Sequence, residues 1–172
     1  RDLRMLILRR RSVDLDDLID KAKKIYRDGD PASPRPYGGV AAETVFVASP
    51  AHTATFPSGA RVRFDHCQNI DDWEKYQGQE YSIIVFEELT QFLEKQYLEV
   101  KSRLRSSSPG LPRKVRATTN PGGRGAEWVF RRWRFWLDPE AEIPGRAPRY
   151  TAEGKPLPPA APGEVLWIRR GS

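Results

Sequence analysis

Several common functions need residues that this chain hardly has. Its 172 residues hold a single cysteine, Cys67, which excludes an internal disulfide, and no secretory leader is visible, so a reducing, cytoplasmic setting is expected. No run approaches the roughly 20 apolar residues that span a bilayer, and no membrane partner is expected. His52, His66 and Cys67 are the whole supply of soft metal ligands. On or near a hairpin strand they read as packing or solvent-facing groups, and no zinc site is assigned. The phosphate-cradling pattern G-x-x-x-x-G-K-[ST] is also missing: the only Gly-Lys pair, Gly154-Lys155, is followed by proline.

What the chain does have is basic charge, and it is unevenly spread. The formal net charge is +6. Between Glu99 and Trp136 ten basic residues, among them Arg103, Arg105, Arg124, Arg131, Arg132 and Arg134, face two acids. A solvated face usually mixes the signs, so this segment suits either phosphate contact or a strongly basic outer surface.

Element patterns alternate between the periods of strand and helix. Residues 3–9 read as a buried strand with a polar exit at Arg9-Arg-Arg-Ser12. Residues 14–27 form the clearest helix, with Leu15, Leu18, Ile19, Ala22 and Ile25 on one stripe and aspartates in the first turn. Pro, Gly and Ser make residues 28–39 a loop, and His52-Thr-Ala-Thr-Phe56, the turn Pro57-Ser-Gly59 and Arg61-Val-Arg-Phe64 read as a hairpin. A short helix or turn is expected at 69–77, a helix at 94–106 with Tyr97, Leu98 and Leu104 on its apolar side, a strand at 113–119, and a third helix at 125–136. That third helix carries Trp128, Phe130, Trp133 and Trp136 among three arginines, a pattern that suits a core face with a basic outer face, or aromatic stacking on bases. Domain boundaries follow from composition: 1–136, a Pro/Gly-rich linker at 137–163, and the start of a further strand at 164–172. Because strand patterns lie close to both ends, the chain is expected to be part of a longer protein.

Chemistry concentrates in Ile83-Ile-Val-Phe-Glu-Glu-Leu-Thr-Gln91, where four apolar residues run into two adjacent carboxylates. The run reads as a buried strand delivering acid to its carboxyl end. In open α/β sheets ligands bind at that edge, and an acidic pair there suits a hydrated magnesium ion and an activated water, although a merely solvated strand end has the same pattern. The strand at 113–119 stops at Thr118-Thr-Asn-Pro-Gly-Gly123, small polar residues suited to sensing a γ-phosphate or to capping a turn.

Taken together, Tyr76-Gln-Gly-Gln-Glu-Tyr81, Phe86-Glu-Glu-Leu-Thr-Gln-Phe92, the stretch 98–105, and Thr119-Asn-Pro-Gly-Gly123 followed by Trp128 resemble the large terminase subunit of tailed bacteriophages over about residues 3–136. The resemblance implies an α/β fold: an incomplete P-loop NTPase domain, RecA-like and ASCE-type, with a mostly parallel sheet and without its N-terminal P-loop portion. It implies an ATPase motor that uses ATP and Mg2+ to package double-stranded DNA into a capsid. Glu87 matches the metal-holding position, where the family usually has Asp, and Glu88 the catalytic carboxylate. Thr118, Thr119 and Asn120 match the coupling motif. Arg103 and Arg105 are candidates for an arginine finger, a solvated or DNA-facing helix being the alternative, and Arg124, Arg131, Arg132 and Arg134 are candidate DNA-phosphate contacts. Implied partners are the portal protein, the small terminase subunit and further copies in a ring, in the cytoplasm of an infected host or encoded by a prophage. Without a phosphate-cradling loop this chain alone is expected to be inactive. A nucleic-acid-binding module and another RecA-like helicase or remodelling ATPase are the alternative readings.

Overall fold

Leu6 and Leu8 have no solvent exposure, and Met5 and Ile7, which alternate with them, are half-buried, so β1 (Arg4–Arg9) is covered on both faces. Such a strand belongs in the middle of a parallel sheet, which explains why its sequence is continuously apolar rather than alternating. The computed structural model describes residues 3–28, 43–49, 51–106 and 108–137, with the backbone alone at 27–28 and 134–137. Residues 29–42, which hold most of the expected loop, and 138–172, which hold the expected linker, Gly154-Lys155 and the closing strand, lie outside the described residues.

Among the described residues six strands form one sheet. In chain order they are β1, β2 (Val45–Val47), β3 (His52–Thr55), β4 (Arg61–His66), β5 (Ile83–Phe86) and β6 (Lys114–Ala117); across the sheet they run β2-β3-β4-β1-β5-β6. β4, β1, β5 and β6 are mutually parallel, with Leu8 level with Asp65 on one side and Phe86 on the other, and Phe86 level with Ala117. The β3–β4 hairpin and β2 extend the sheet in antiparallel fashion. The expected mixed α/β architecture with a mostly parallel sheet is therefore present, and β1, β5 and β6 all end at the same edge.

Each face has its own cover. Helix α1 (Leu15–Lys23), which continues into a wider π turn at Lys24–Asp28, buries Leu15, Ile19 and Ala22 against Ala54, Val62 and Phe64. Those three positions, four and three apart, form the centre of the helical stripe expected from the sequence; Leu18 packs beside them half-buried, and Ile25, in the wider π turn, is 48 % exposed rather than on the stripe. On the opposite face Phe86 meets the rings of Phe92 and Tyr97 at 5.4 and 5.2 Å between centroids. Burying a side chain such as Phe86 completely stabilises by about 1.5–3 kcal/mol.

Helix α2 (Glu94–Lys101) is shorter than the expected 94–106, and its buried side differs. Leu98 is 44 % exposed, whereas Gln96, Tyr97 and Val100 are buried. The Gln96 amide donates to the carbonyls of Cys67 and Asn69, at 3.1 and 2.7 Å, and its oxygen accepts the Leu93 N–H at 3.0 Å. The chain leaves the helix because Tyr81 claims it: Tyr81 donates to the Arg103 carbonyl and accepts from the Arg105 N–H, both at 3.0 Å, making Leu104 a bridge partner rather than a helical residue. The expected short element at 69–77 is a 3-10 turn, Asp72–Tyr76.

The chain divides into two units, the first ending at Gly125 and the second beginning with α3 (Ala126–Leu137). Within α3, Trp128 is buried and stands 6.0 Å from the Trp133 ring, while Phe130 is 53 % exposed, so the aromatics do not form one continuous core face. Among the described residues no helix is long and apolar enough to cross a membrane.

Candidate functional site at the carboxyl edge of the sheet

The acidic pair begins where β5 ends. The Glu87 N–H still donates to the Leu8 carbonyl of β1 at 2.8 Å, which aligns Glu87 with Arg9 on the neighbouring strand. Arg9 Nε donates to Glu87 Oε2 at 2.6 Å, with both side chains mostly covered. The bond to Glu87 raises the Arg9 pKa above its ordinary value, more than burial lowers it. One carboxylate oxygen of Glu87 is thereby held, and its position is fixed by a residue from another strand.

Glu88 departs from ordinary backbone geometry. At φ 58° and ψ 59° it is the only non-glycine residue with positive φ among the described residues. A residue with a Cβ costs roughly 1–2 kcal/mol in this left-handed region, so its surroundings must hold it there. They do so through the next strand: the Glu88 N–H donates to Thr118 Oγ1 at 3.3 Å, and the Leu89 N–H to the Thr118 carbonyl at 2.8 Å. The sharp reversal carries the chain from β5 into a 3-10 turn, Leu89–Gln91, without leaving the sheet edge.

The polar loop after β6 is bonded to that turn residue by residue. The Thr90 N–H donates to Thr119 Oγ1 at 3.3 Å, the Thr119 hydroxyl donates to Thr90 Oγ1 at 3.0 Å, and Thr90 Oγ1 donates to the Asn120 carbonyl at 3.1 Å. Glu87, Glu88, Thr118, Thr119 and Asn120, separated by some 30 residues of sequence, therefore form one continuous patch. Arg124 lies at the same edge. Burial, and after it the neighbouring charge of Arg124, lower the Arg10 pKa below its usual value.

Arg103 and Arg105 are not brought to the acidic pair. They bridge Tyr81, ahead of β5, whereas Glu87 follows its end; six residues of extended chain separate the two levels by about 20 Å. Arg105 instead faces Glu80 at 3.7 Å. Arg131 and Arg132 lie on α3, outside the first unit, and the Arg134 side chain is outside the described residues. Cys67 is buried, which pushes its thiol pKa up to about 12.

Sequence reasoning missed Arg9, Thr90 and Gly123. The first has a visible signal, being the first charge after the apolar run of β1, but only the β1–β5 register aligns it with Glu87. At Gly123, with φ +94°, an added Cβ would lie 2.6 Å from the Thr90 carbonyl oxygen, a contact no side chain could occupy.

The donor set at this edge suits a hard cation. Among the described residues no group of three or more His, Cys, Asp or Glu could hold a metal ion; the edge supplies two carboxylates, Glu87 and Glu88, with the Thr118 hydroxyl beside them. Magnesium is commonly bound in that way, its remaining positions filled by waters and phosphate oxygens.

No curated protein sequence matches the chain significantly. The family model described as phage terminase large subunit matches residues 38–146, a span of 109 of the 172 residues that takes in the acidic pair and the Thr-Thr-Asn loop. The chain belongs to the phage terminase large subunit family.

Proposed function

We propose that this chain is the central part of a DNA-packaging ATPase, in which Glu88 is the base that activates water and Glu87 holds hydrated magnesium. The observation that carries the reading is the hydrogen-bonded union of the Glu87–Glu88 turn with Thr118, Thr119 and Asn120 at the carboxyl edge of a parallel sheet. Ligands of open α/β sheets bind at that edge.

The chain's own residues divide the work. Arg9 takes one oxygen of Glu87 and leaves the other for a metal-bound water. Among the described residues nothing bonds the Glu88 carboxylate, which leaves it available to accept a proton. Thr118 holds the Glu88 N–H through its hydroxyl and the Leu89 N–H through its carbonyl, so that any displacement of the Thr-Thr-Asn loop is felt at the base. Magnesium, when bound, supplies charge neutralisation at the β- and γ-phosphate oxygens. A phosphate-cradling loop and its lysine would come from sequence ahead of Leu3, giving a RecA-like domain. Among the described residues β6 has no neighbour on its outer side, which is compatible with a further strand there.

In the assembled motor Arg103 and Arg105, at the opposite edge from their own acids, would serve as fingers only toward a neighbouring subunit. The exposed Lys114, Arg116 and Arg124 suit contacts to the phosphates of double-stranded DNA. Portal protein and small terminase subunit are the remaining expected partners.

The test is Glu88→Gln in the complete subunit. The amide keeps the shape but cannot take a proton, so ATP turnover should fall about 10²- to 10⁴-fold with nucleotide binding retained. A loss below about tenfold would assign the base to another residue.

A further inference from the structure

Thr90 is 6 % exposed, and every polar atom it has is used across the gap between the two loops or by the glycine turn that follows. Its N–H and hydroxyl engage Thr119 and Asn120. Its carbonyl accepts the Gly125 N–H at 2.7 Å. Gly123 approaches the same carbonyl so closely that a Cβ there would stand 2.6 Å from it. Three segments thus converge on one residue: the turn that carries Glu88, the loop that carries Asn120, and the basic turn that carries Arg124.

We infer that Thr90 is the positioning residue through which the hydrolytic turn and the DNA-facing loop move together. This rests on the proposed roles of Glu88 and of Thr118, Thr119 and Asn120. The physical basis is that a buried hydroxyl which both donates and accepts ties its partners to one geometry. Without it Thr90 keeps only its backbone N–H bond to the other loop: the exposed Thr119 hydroxyl and Asn120 carbonyl, 3.2 Å from each other, lose the hydroxyl that ties them to the buried turn, and the two loops are free to settle independently. Coupling between sites needs such a physical element that both sites bias.

The experiment compares ATP turnover of the complete subunit with and without double-stranded DNA. Thr90→Val keeps the shape and removes the hydroxyl; the ratio of DNA-stimulated to unstimulated turnover should fall roughly tenfold, within the 5- to 150-fold range usual for coupled sites. Thr90→Ser, which restores the hydroxyl, should recover most of the ratio. Gly123→Ala, which drives a methyl against the Thr90 carbonyl, should reproduce the loss with Thr90 itself untouched. Should Thr90→Val fail to fold, Thr90→Ala judged against Thr90→Ser carries the same comparison. The inference is overturned if Thr90→Val keeps the full ratio, or if Thr90→Ser is as impaired as Thr90→Val, which would assign the effect to packing. Asn120→Ala separates the two levels. If it uncouples while Thr90→Val does not, only this inference falls; if it also leaves the ratio intact, the proposed role of the Thr-Thr-Asn loop falls with it.

Discussion

Two acidic sites lie near the same sheet edge and are built in opposite ways. Asp65, on β4, is buried and saturated: its carboxylate accepts Arg63 Nε and Nη2 at 3.0 and 2.6 Å, Lys75 Nζ at 3.0 Å and the His66 N–H at 2.8 Å. Arg63 and Lys75 also lie over the Tyr76 ring, at 5.5 and 5.4 Å from its centroid. The Glu87–Glu88 pair, two strands away, has one charged partner in Arg9 and an open carboxylate on a strained backbone. A carboxylate with all its acceptor sites filled can stabilise a fold but has nothing left for a ligand. One held in place and left unsatisfied can do chemistry.

Variants at the two sites should therefore change opposite properties. The largest change in stability is expected for Asp65→Ala, which strands two cations in a largely covered cluster. Breaking a buried pair costs about 3–5 kcal/mol, and the partial exposure of Arg63 and Lys75 favours the lower end. Chemical denaturation checks it, and Glu88→Ala run alongside should lose far less.

The same contrast appears in acid. Burial alone would raise the Asp65 pKa, but the His66 N–H, Lys75 and Arg63 together hold it below the ordinary carboxylate value. A group whose folded pKa is depressed contributes stability above its unfolded pKa of about 3.9, and that contribution is lost as pH falls through the lower folded value. Unfolding free energy measured from neutral pH down through that range should decline in the parent, and Asp65→Asn should flatten the decline.

Glu88→Gly should move stability the other way. Glycine adopts the left-handed region without penalty, so a gain of about 1 kcal/mol is expected while turnover in the complete subunit collapses. A stability loss of similar size would mean that the Glu88 side chain supports the fold and that the two sites are alike.

The smallest effect is expected at the basic turn. If Arg124 neutralises one DNA phosphate, Arg124→Ala should lower the slope of log affinity against log salt by about 1, uniformly across DNA sequences. An unchanged slope would remove Arg124 from the DNA-facing surface.

Much of this architecture was legible in the sequence because it rests on local pattern. The continuous apolar runs of β1 and β5, the turn at Pro57-Ser-Gly59, and the halt at Thr118-Thr-Asn120 each announce an element and its end. The contents of the edge, Glu87 with Glu88 and the Thr-Thr-Asn loop, followed from those ends. What stayed hidden depends on register and on distant partners. Nothing local pairs Arg9 with Glu87, gives Thr90 its role, or gathers Arg63, Lys75 and Gln79 around Asp65 and Tyr81. The early end of α2 has the same origin, since Tyr81, far from it in sequence, draws residues 103–105 into a bridge. Helical spacing suggested Leu98 and Leu104 as core positions, and tertiary competition overrode it.

The most direct test of the central claim is a structure of the complete subunit with magnesium and a non-hydrolysable ATP analogue. The expected result is a γ-phosphate at the carboxyl edge of β5, a magnesium ion held through water by Glu87, and the attacking water within hydrogen-bond reach of Glu88, about 2.6–3.2 Å. Nucleotide bound at another edge of the sheet, with Glu87 still paired to Arg9 alone and Glu88 facing bulk water, would contradict it.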